Sequence, residues 1–403
     1  MYNKEANNNK LLDQFEKLKQ YPQPKQRTRE WFDYRYNRIT ASDTATAIDL
    51  NPYEPVESFI LRKCDSNYPF YDNATVFHGK KYEPIATLLY EHIYNNKVEE
   101  FGALPSLKYS FLGASPDGIC SNYTLDNKIS SRLGIMLEIK CPVTRYINTK
   151  GNIFDICPFY YYCQIQQQLL CCELDICDFW QCKFTEFNSR EEYLKDDFKT
   201  CINTENTEII SDTIITHTFK CKSVTINNKL KKGIILEFYP KNFIPEFETD
   251  NIEWKSKYII PTTLDMNENE YDIFVTEMLN TNKSLLDDYY FNKIIYWKLD
   301  KTHNISIMRN DKFLLNIIPI LEITWKLVLF YRKNKDKLDE LRDIIEKRKK
   351  YNKFNTKFTI HNQYIINNKI LFLDSNKINT AKISLNNIIN NNNNNDNYDF
   401  IDD

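Results

Sequence analysis

Between Gly113 and Lys140 the sequence sets a Gly-Ala-Ser-Pro-Asp-Gly turn ahead of a short alternating strand, and this pairing limits the available folds more than any other feature. Within residues 134–140, Ile135, Leu137 and Ile139 share one face of a strand, and Met136, Glu138 and Lys140 share the other. Charges at alternate positions fit two situations. The strand is a solvent-facing edge, or its polar face meets a partner such as the Asp117 carboxylate on the preceding turn. The spacing of 21 residues from Asp117 to Glu138 leaves room for a loop and a strand return. Converging carboxylate oxygens are what a hard divalent cation needs, so a metal site and a plain surface edge both remain open.

The surrounding pattern is that of an α/β core. Residues 11–19 suit a short helix with Leu12, Phe15 and Leu18 on one side, stopped by Pro22 and Pro24, with residues 1–10 as a loose tail. Residues 55–63 read as a helix with Val56, Phe59 and Ile60 inward, and 64–76 as a loop. Residues 79–94 read as a helix with Pro84 in its first turns. Glu83 lies at the edge of its apolar stripe, where a glutamate standing alone is more often a solvated side chain. Strands are expected at 98–104 and 109–114, a helix from Pro158 to about Cys172, and a core strand over 174–184. Gln164 and Gln168 share a helix face within a dense glutamine cluster (164 and 166–168), which is either a hydrated surface or a polar contact to the site.

A second segment carries charge and aromatic rings together. Lys25, Arg27, Arg29, Arg35 and Arg38 are interleaved with Trp31, Phe32, Tyr34 and Tyr36, and Thr40-Ala41-Ser42-Asp43 offers capping hydroxyls before residues 45–50. A free helix N-terminus suits a phosphate; an ordinary cap beside a solvated basic face is the plainer alternative.

Composition excludes several classes. With 53 Lys and Arg against 55 Asp and Glu, net charge argues neither for nor against nucleic acid, and charge has to be read locally. Eleven cysteines, an odd number that includes the adjacent Cys171 and Cys172, do not form a neat disulfide framework, so reduced structural thiols in an intracellular compartment are expected. The polar N-terminus lacks the apolar stretch of a signal peptide. The most apolar run, 313–329, contains Glu322 and Lys326 and is expected to be a buried or amphipathic helix rather than a membrane span.

Past residue 190, strands are expected at 214–220 and 233–239, joined through Asn227-Asn228. Another is expected at 289–298, paired with 305–308. The charged helix 333–350, with Leu338, Leu341, Ile344 and Ile345 as a thin stripe, would cover the core, project as a coiled coil or meet a partner. The Asn-rich end is expected to be disordered. The domain boundaries implied are 1–24 (tail and short helix), 25–190 (core), 191–290 (insertion or second subdomain), 291–350 (returning strand and long helix) and 351–403 (peripheral segment and tail).

Taken in order, Trp31, Arg35, Ile39-Thr40-Ala41-Ser42, Gly79 with Glu83, the Gly113–Gly118 turn, Glu138-Ile139-Lys140-Cys141-Pro142 and Tyr162-Cys163-Gln164-Ile165-Gln166 resemble the YqaJ-like viral recombinase family. That family is related to phage lambda exonuclease within the PD-(D/E)XK nucleases. The resemblance is strongest over about residues 27–185 and resumes more weakly from Tyr296 to Tyr331. It implies a restriction-endonuclease-like fold: a mixed central sheet flanked by helices, here with a large C-terminal elaboration. It implies a magnesium-dependent (alternatively manganese-dependent) 5′-to-3′ exonuclease that digests one strand of double-stranded DNA for recombination or repair. Asp117, Glu138, the Ile139 carbonyl and Glu83 would hold metal. Lys140 would act on the nucleophilic water and the phosphate, and Gln164 would position the water. Arg35, Thr40, Ser42 and Ser115 would bind the 5′ phosphate. A single-strand annealing protein and a trimeric homo-oligomer are implied partners, with no membrane, and the setting would be a host cytoplasm or viral replication site. A structure-specific endonuclease and a catalytically inactive DNA-binding recombination scaffold are the alternatives that a likeness of fold leaves standing.

Overall fold

The computed structural model describes residues 2–24, 28–65, 74–196, 203–207, 221–225, 232–244, 251–262, 264 and 266–352. Lys25, Arg27, most of the loop expected at 64–76, the strand expected at 214–220, the Asn227-Asn228 turn and the Asn-rich end lie outside them.

The chain opens with α1 (Tyr2–Gln20), which runs through most of the stretch expected as a tail. Phe15 and Leu18 are buried in the core. Once they anchor the C-terminal half, the polar turns before them need only propagate a helix already nucleated. Next come α2 (Arg29–Tyr36), β1 (Ile39–Thr40), a 3-10 turn (Ala41–Asp43) and α3 (Thr44–Ala47). Then follow α4 (Val56–Cys64) and α5 (Ala74–Tyr94). Because α5 starts five residues before Gly79, Pro84 lies in its interior, on an exposed side, rather than in its first turns.

The strands β2 (Val98–Glu99), β3 (Leu104–Pro105), β4 (Leu112–Ala114), β5 (Gly118–Cys120) and β6 (Met136–Lys140) divide between two sheets. The stretch expected as one strand at 98–104 splits: β2 pairs with β5, whereas β3 pairs with β4, which runs parallel to β1. After α6 (Ile153–Ile156), α7 (Phe159–Cys172) crosses between β6 and β7 (Ile176–Glu186), which are parallel and need such a crossover.

The remaining elements are α8 (Arg190–Lys195), β8 (Asn203–Thr207), β9 (Cys221–Thr225), β10 (Lys232–Pro240) and β11 (Lys257–Ile259), then α9 (Glu268–Thr281), α10 (Lys283–Asp288), β12 (Tyr289–Met308), α11 (Asp311–Lys333) and α12 (Lys335–Asn352). The large sheet runs β11-β10-β12-β7-β6-β5-β2, with β8 also on β12 and β9 on β8. Residues 289–308 were expected to be two strands paired with each other; they form one strand of 20 residues. Each half finds a different neighbour, Tyr289–Lys298 pairing with β10 and Trp297–Met308 with β7.

The alternation read in β6 holds, but both faces are buried. Leu137 and Ile139 join a cluster with Tyr82, Ile85 and Trp180. Met136 joins Ile165, Phe179 and Ile317 on the opposite face. Flanked by β5 and β7, β6 is not a solvent-facing edge, and Glu138 on it is fully buried. Helix α11 is long and apolar enough to cross a membrane by length and composition; nine of its side chains are buried in the core instead. Leu338, Leu341 and Ile345 of α12 join the same cluster, so among its expected fates this helix covers the core. A third cluster, of Tyr193, Ile234, Leu236, Phe238 and Tyr271, fills the elaboration. The nine cysteines from Cys64 to Cys182 are free thiols.

At the sheet centre, Asp178 on β7 is fully buried, with one cation and three neutral donors around it. Its carboxylate pairs with Arg132 and accepts hydrogen bonds from Tyr90 Oη (2.7 Å), Asn304 Nδ2 (2.9 Å) and Ser306 Oγ (2.6 Å). These bonds tie α5 and β12 to β7 at one point.

Candidate active site

Asp117 stands on the turn between β4 and β5. Its Oδ2 accepts the Ile139 amide at 2.7 Å, which pins the turn to β6. The close packing behind the turn needs glycine at 113, since a Cβ there would stand 2.4 Å from Tyr34 Oη. One strand position from Ile139, Glu138 Oε1 accepts from Gln164 Nε2 at 2.7 Å and from Lys140 Nζ, and Oε2 accepts from Gln168 Nε2 at 2.7 Å. Positions 164 and 168 are one helical turn apart, so a single face of α7 grips both oxygens of one carboxylate.

The glutamine cluster is therefore not a hydrated surface. Gln166, Gln167 and Gln168 are fully buried, and each is bonded. Gln166 donates to the Met308 carbonyl (2.9 Å) and accepts the Asn310 amide (2.7 Å), fixing the start of α11. Gln167 donates to the Ile39 and Gly113 carbonyls at 2.9 and 3.0 Å and accepts the Thr44 hydroxyl at 2.8 Å, joining β1 to β4. Spacing put Gln168 on the face of Gln164 and left a polar contact to the site open for the cluster, but it named no partner for Gln167 or Gln168. The signal was their number in an otherwise apolar helix, because buried amides must find partners.

Electrostatics mark the same place. Burial pushes the Asp117 carboxyl well up, and the neighbouring Glu138 and Glu83 push it further. Burial also lifts Glu83, on α5, to about 7; Lys140 opposes, while Glu138 and Glu100 add to the rise. For Lys140, burial favours the neutral amine, but the Glu138 and Asp117 carboxylates outweigh it and hold the ammonium firmly charged. Three carboxylates and one ammonium in a desolvated space call for additional positive charge. An all-oxygen donor set suits a hard cation. Two buried polar atoms without partners, Ser115 Oγ and Gln168 Oε1, belong to residues that approach each other, with Gln168 Nε2 3.4 Å from the Ser115 carbonyl. Gln168 Oε1 adds an oxygen donor beside Glu138. Among the described residues, however, no three His, Cys, Asp or Glu side chains are gathered at metal-binding range. The carboxylates feel one another without converging on a point, since Glu138 is occupied by amides and Lys140.

The second group assembles on α2 and at the C-terminal end of β1, which pairs in parallel with β4 through Thr40 and Gly113. Arg35 Nη2 donates to Ser42 Oγ at 3.3 Å, and Thr40 Oγ1 lies 3.5 Å from the same hydroxyl. The Arg35 guanidinium rests on Trp31, 4.7 Å from the ring centroid, and among the described residues it has no carboxylate partner. The expected helix cap is absent: Thr40 makes no cap bond and instead donates to Asp43 Oδ2 at 2.8 Å, ahead of a helix of only four residues. Asp43, which sequence reading treated as part of the cap, is the hub. Its Oδ1 takes both Arg62 nitrogens at 3.1 Å, and its Oδ2 pairs with Lys63 at 3.0 Å. Burial opposes its ionisation, but Arg62, Lys63 and Arg35 together hold its carboxyl far below the usual range. Lys63 also donates to the Arg35 carbonyl at 2.6 Å. Asp43 thus satisfies Arg62 and Lys63 and leaves Arg35 and the exposed Ser42 hydroxyl for an anion. Ser115 directly follows β4 and its carbonyl meets Gln168 of the carboxylate group, and Gln167 links the two groups through β1 and β4.

Residues 30–175 match the family model described as the YqaJ-like viral recombinase domain. An uncharacterised protein of Acanthamoeba polyphaga mimivirus is 36% identical over 338 residues, a match that takes in 83% of this chain and 58% of that protein. The chain therefore spans little over half the length of this relative. Two solved structures align at 20% identity and a TM-score of 0.30 over 50% of this chain: LHK-Exo in complex with dAMP, and LHK-Exo as an alkaline exonuclease from Laribacter hongkongensis, covered to 85% and 84%. Arg35, Asp117, Glu138, Lys140 and Gln168 all fall inside the matched stretch. Residues 30–175, set on a mixed sheet flanked by helices, are thus similar to the YqaJ-like viral recombinase domain.

Proposed function

We propose that this chain is a divalent-cation-dependent deoxyribonuclease that removes nucleotides from the 5′ end of one strand of duplex DNA, preparing ends for viral recombination or repair. The observation that carries it is the pairing of two centres, Asp117–Glu138–Lys140 and Arg35–Thr40–Ser42, joined through Gln167 and the parallel strands β1 and β4. An anion held at the second centre sets a chain end at a defined distance from the first, which is what favours removal from an end over internal cutting.

Asp117, Glu138, the Ile139 carbonyl and Glu83 would hold magnesium or manganese. When bound, such an ion polarises a phosphodiester and lowers the pKa of a water. Lys140 presents a fixed positive charge where negative charge develops on the phosphate. Gln164 and Gln168 hold Glu138 in one orientation, and Gln164, the less buried of the two, also faces the reacting water. Arg35, Thr40, Ser42 and Ser115 bind the terminal phosphate, with Asp43 orienting Thr40. Contacts to phosphate rather than base edges make cleavage independent of sequence and sensitive to salt.

In this proposal residues 25–190 form the nuclease core, 191–290 elaborate it, and 291–350 return to it. Double-stranded DNA is the principal partner. A single-strand annealing protein and further copies of this chain complete the assembly, inside an infected cell. The test is a time course on linear, nicked and circular duplexes labelled at either 5′ or 3′ end, run beside Lys140→Ala. Mononucleotides released from the 5′ terminus, and none from Lys140→Ala despite normal duplex binding, support the proposal. Cuts within circles would make it an endonuclease, and binding without hydrolysis a scaffold.

A further inference from the structure

A line of touching aromatic rings leads away from Lys140 and is not used by the hydrolytic chemistry. Lys140 Nζ lies 4.8 Å from the centroid of the Tyr161 ring. Tyr161 packs on Tyr160 with centroids 4.3 Å apart, and Tyr160 meets Tyr53 edge to face at 5.6 Å. Tyr160 and Tyr161 sit in the first turn of α7, half-buried against the core, so their rings are held rigidly. Tyr53 is 75% exposed. Its chain neighbour Glu54 pairs with Arg62 at 3.2 Å, and Arg62 belongs to the Asp43 hub beside Arg35. The three rings therefore connect the two polar centres.

Beyond Tyr161 the pattern continues. The Arg145 guanidinium is 5.8 Å from the Tyr161 ring centroid. Tyr146, 66% exposed, lies beneath the Lys301 ammonium at 4.3 Å and accepts its hydrogen bond at 3.1 Å.

A single exposed tyrosine is ordinary on a protein surface. Contiguous ring faces interleaved with cations, beside a centre that holds phosphate, form another kind of surface. Phosphates need cations but no rings, and the bases of a closed duplex offer no free face. Unpaired bases offer one at every residue, and aromatic side chains stack on them whatever the sequence. We propose that Tyr53, Tyr160 and Tyr161, continued by Arg145 and Tyr146, form a stacking surface for the unpaired bases of a single DNA strand between the Arg35 cluster and Lys140. The proposal rests on the nuclease assignment of this site and names the form of substrate it grips: an opened end rather than closed duplex.

The experiment measures binding by the full chain in EDTA, where no hydrolysis occurs. The probes are a fluorescent single-stranded DNA oligonucleotide carrying 2-aminopurine and an abasic strand of equal length and charge. The wild-type chain is expected to bind the base-bearing strand about tenfold more tightly than the abasic one, with quenching of 2-aminopurine. Tyr53→Ala, a surface change that leaves the core untouched, should erase most of that preference, and Tyr53→Phe should keep it. Equal affinity of the wild-type chain for both strands would overturn the proposal, as would equal losses in Tyr53→Phe and Tyr53→Ala. A base preference without cleavage of labelled duplexes would remove the nuclease assignment and leave the stacking surface. Cleavage without a base preference would do the reverse.

Discussion

The raised carboxyl of Glu83 makes a quantitative demand on the metal-free protein. Burial lifts it from the ordinary 4.5 to about 7, with Lys140 opposing and Glu138 and Glu100 adding. Between those values the folded chain holds a proton that the unfolded chain has released. Stability from this group is therefore complete below pH 4.5 and is lost as the pH rises through about 7. An interval of roughly 2.5 pH units at about 1.4 kcal/mol each corresponds to about 3 kcal/mol, trimmed to about 2–3 kcal/mol because Glu83 is part-exposed. Glu83→Gln removes the effect. His78 acts oppositely over an overlapping range, since burial pushes its imidazole down to about 4 and favours the folded state as pH rises. The informative quantity is thus the difference between wild type and Glu83→Gln, taken from urea unfolding in EDTA at successive pH values. Wild type should lose about 2–3 kcal/mol relative to the variant as the pH climbs from about 4.5 to 7.5. Magnesium should restore wild type at the upper end more than it restores the variant. A difference that stays flat within about 0.5 kcal/mol, or changes in the other direction, would refute the assignment of a mutually repelling carboxylate group at this site.

Three further outcomes are open to measurement. Arg35→Ala should weaken selection of 5′-phosphorylated over unphosphorylated ends by about ten- to a hundredfold in competition assays, the range for losing charge-assisted hydrogen bonds; an equal loss on both ends would count against a terminal-phosphate site. Gln168→Leu strips a 2.7 Å donor from the buried Glu138 carboxylate, so denaturant unfolding should show a loss of about 2 kcal/mol, and hydrolysis should fall with it. Asp178→Ala leaves Arg132 without its carboxylate at the sheet centre, and a destabilisation of about 3–5 kcal/mol is expected by thermal or urea unfolding; a loss below about 1 kcal/mol would show that the network is not a keystone of the fold.

What could be read beforehand followed the range of the interactions involved. The alternation in residues 134–140 and the Ser-Pro-Asp-Gly turn are local patterns, and they located Asp117, Glu138 and Lys140 on adjoining segments that the fold does bring together. Gln164 and Gln168 were likewise assigned to one face. What that face meets is a tertiary fact, and only the folded chain shows it to be Glu138. The Thr40–Asp43 segment misled for the same reason. Hydroxyls and a carboxylate before a short apolar run look like a cap, but cations 19 and 20 positions further on take up Asp43. The two halves of residues 289–308 were separated because each alone has the length of a strand. Continuity through Lys298 and Leu299 depends on neighbours from residues 176–186 and 232–240.

That continuity has a mechanical meaning. Trp297 and Lys298 are shared property, bonded to β7 on one side and β10 on the other. Among the described residues, β12 offers no break at which residues 232–288 could be cut away as a cassette. Excising them would strip a neighbour from half of β12 and open a long ribbon of unpaired amides and carbonyls to other molecules. The elaboration is welded to the rest of the large sheet. A force or a ligand acting on one is felt by the other along a single uninterrupted stretch of backbone.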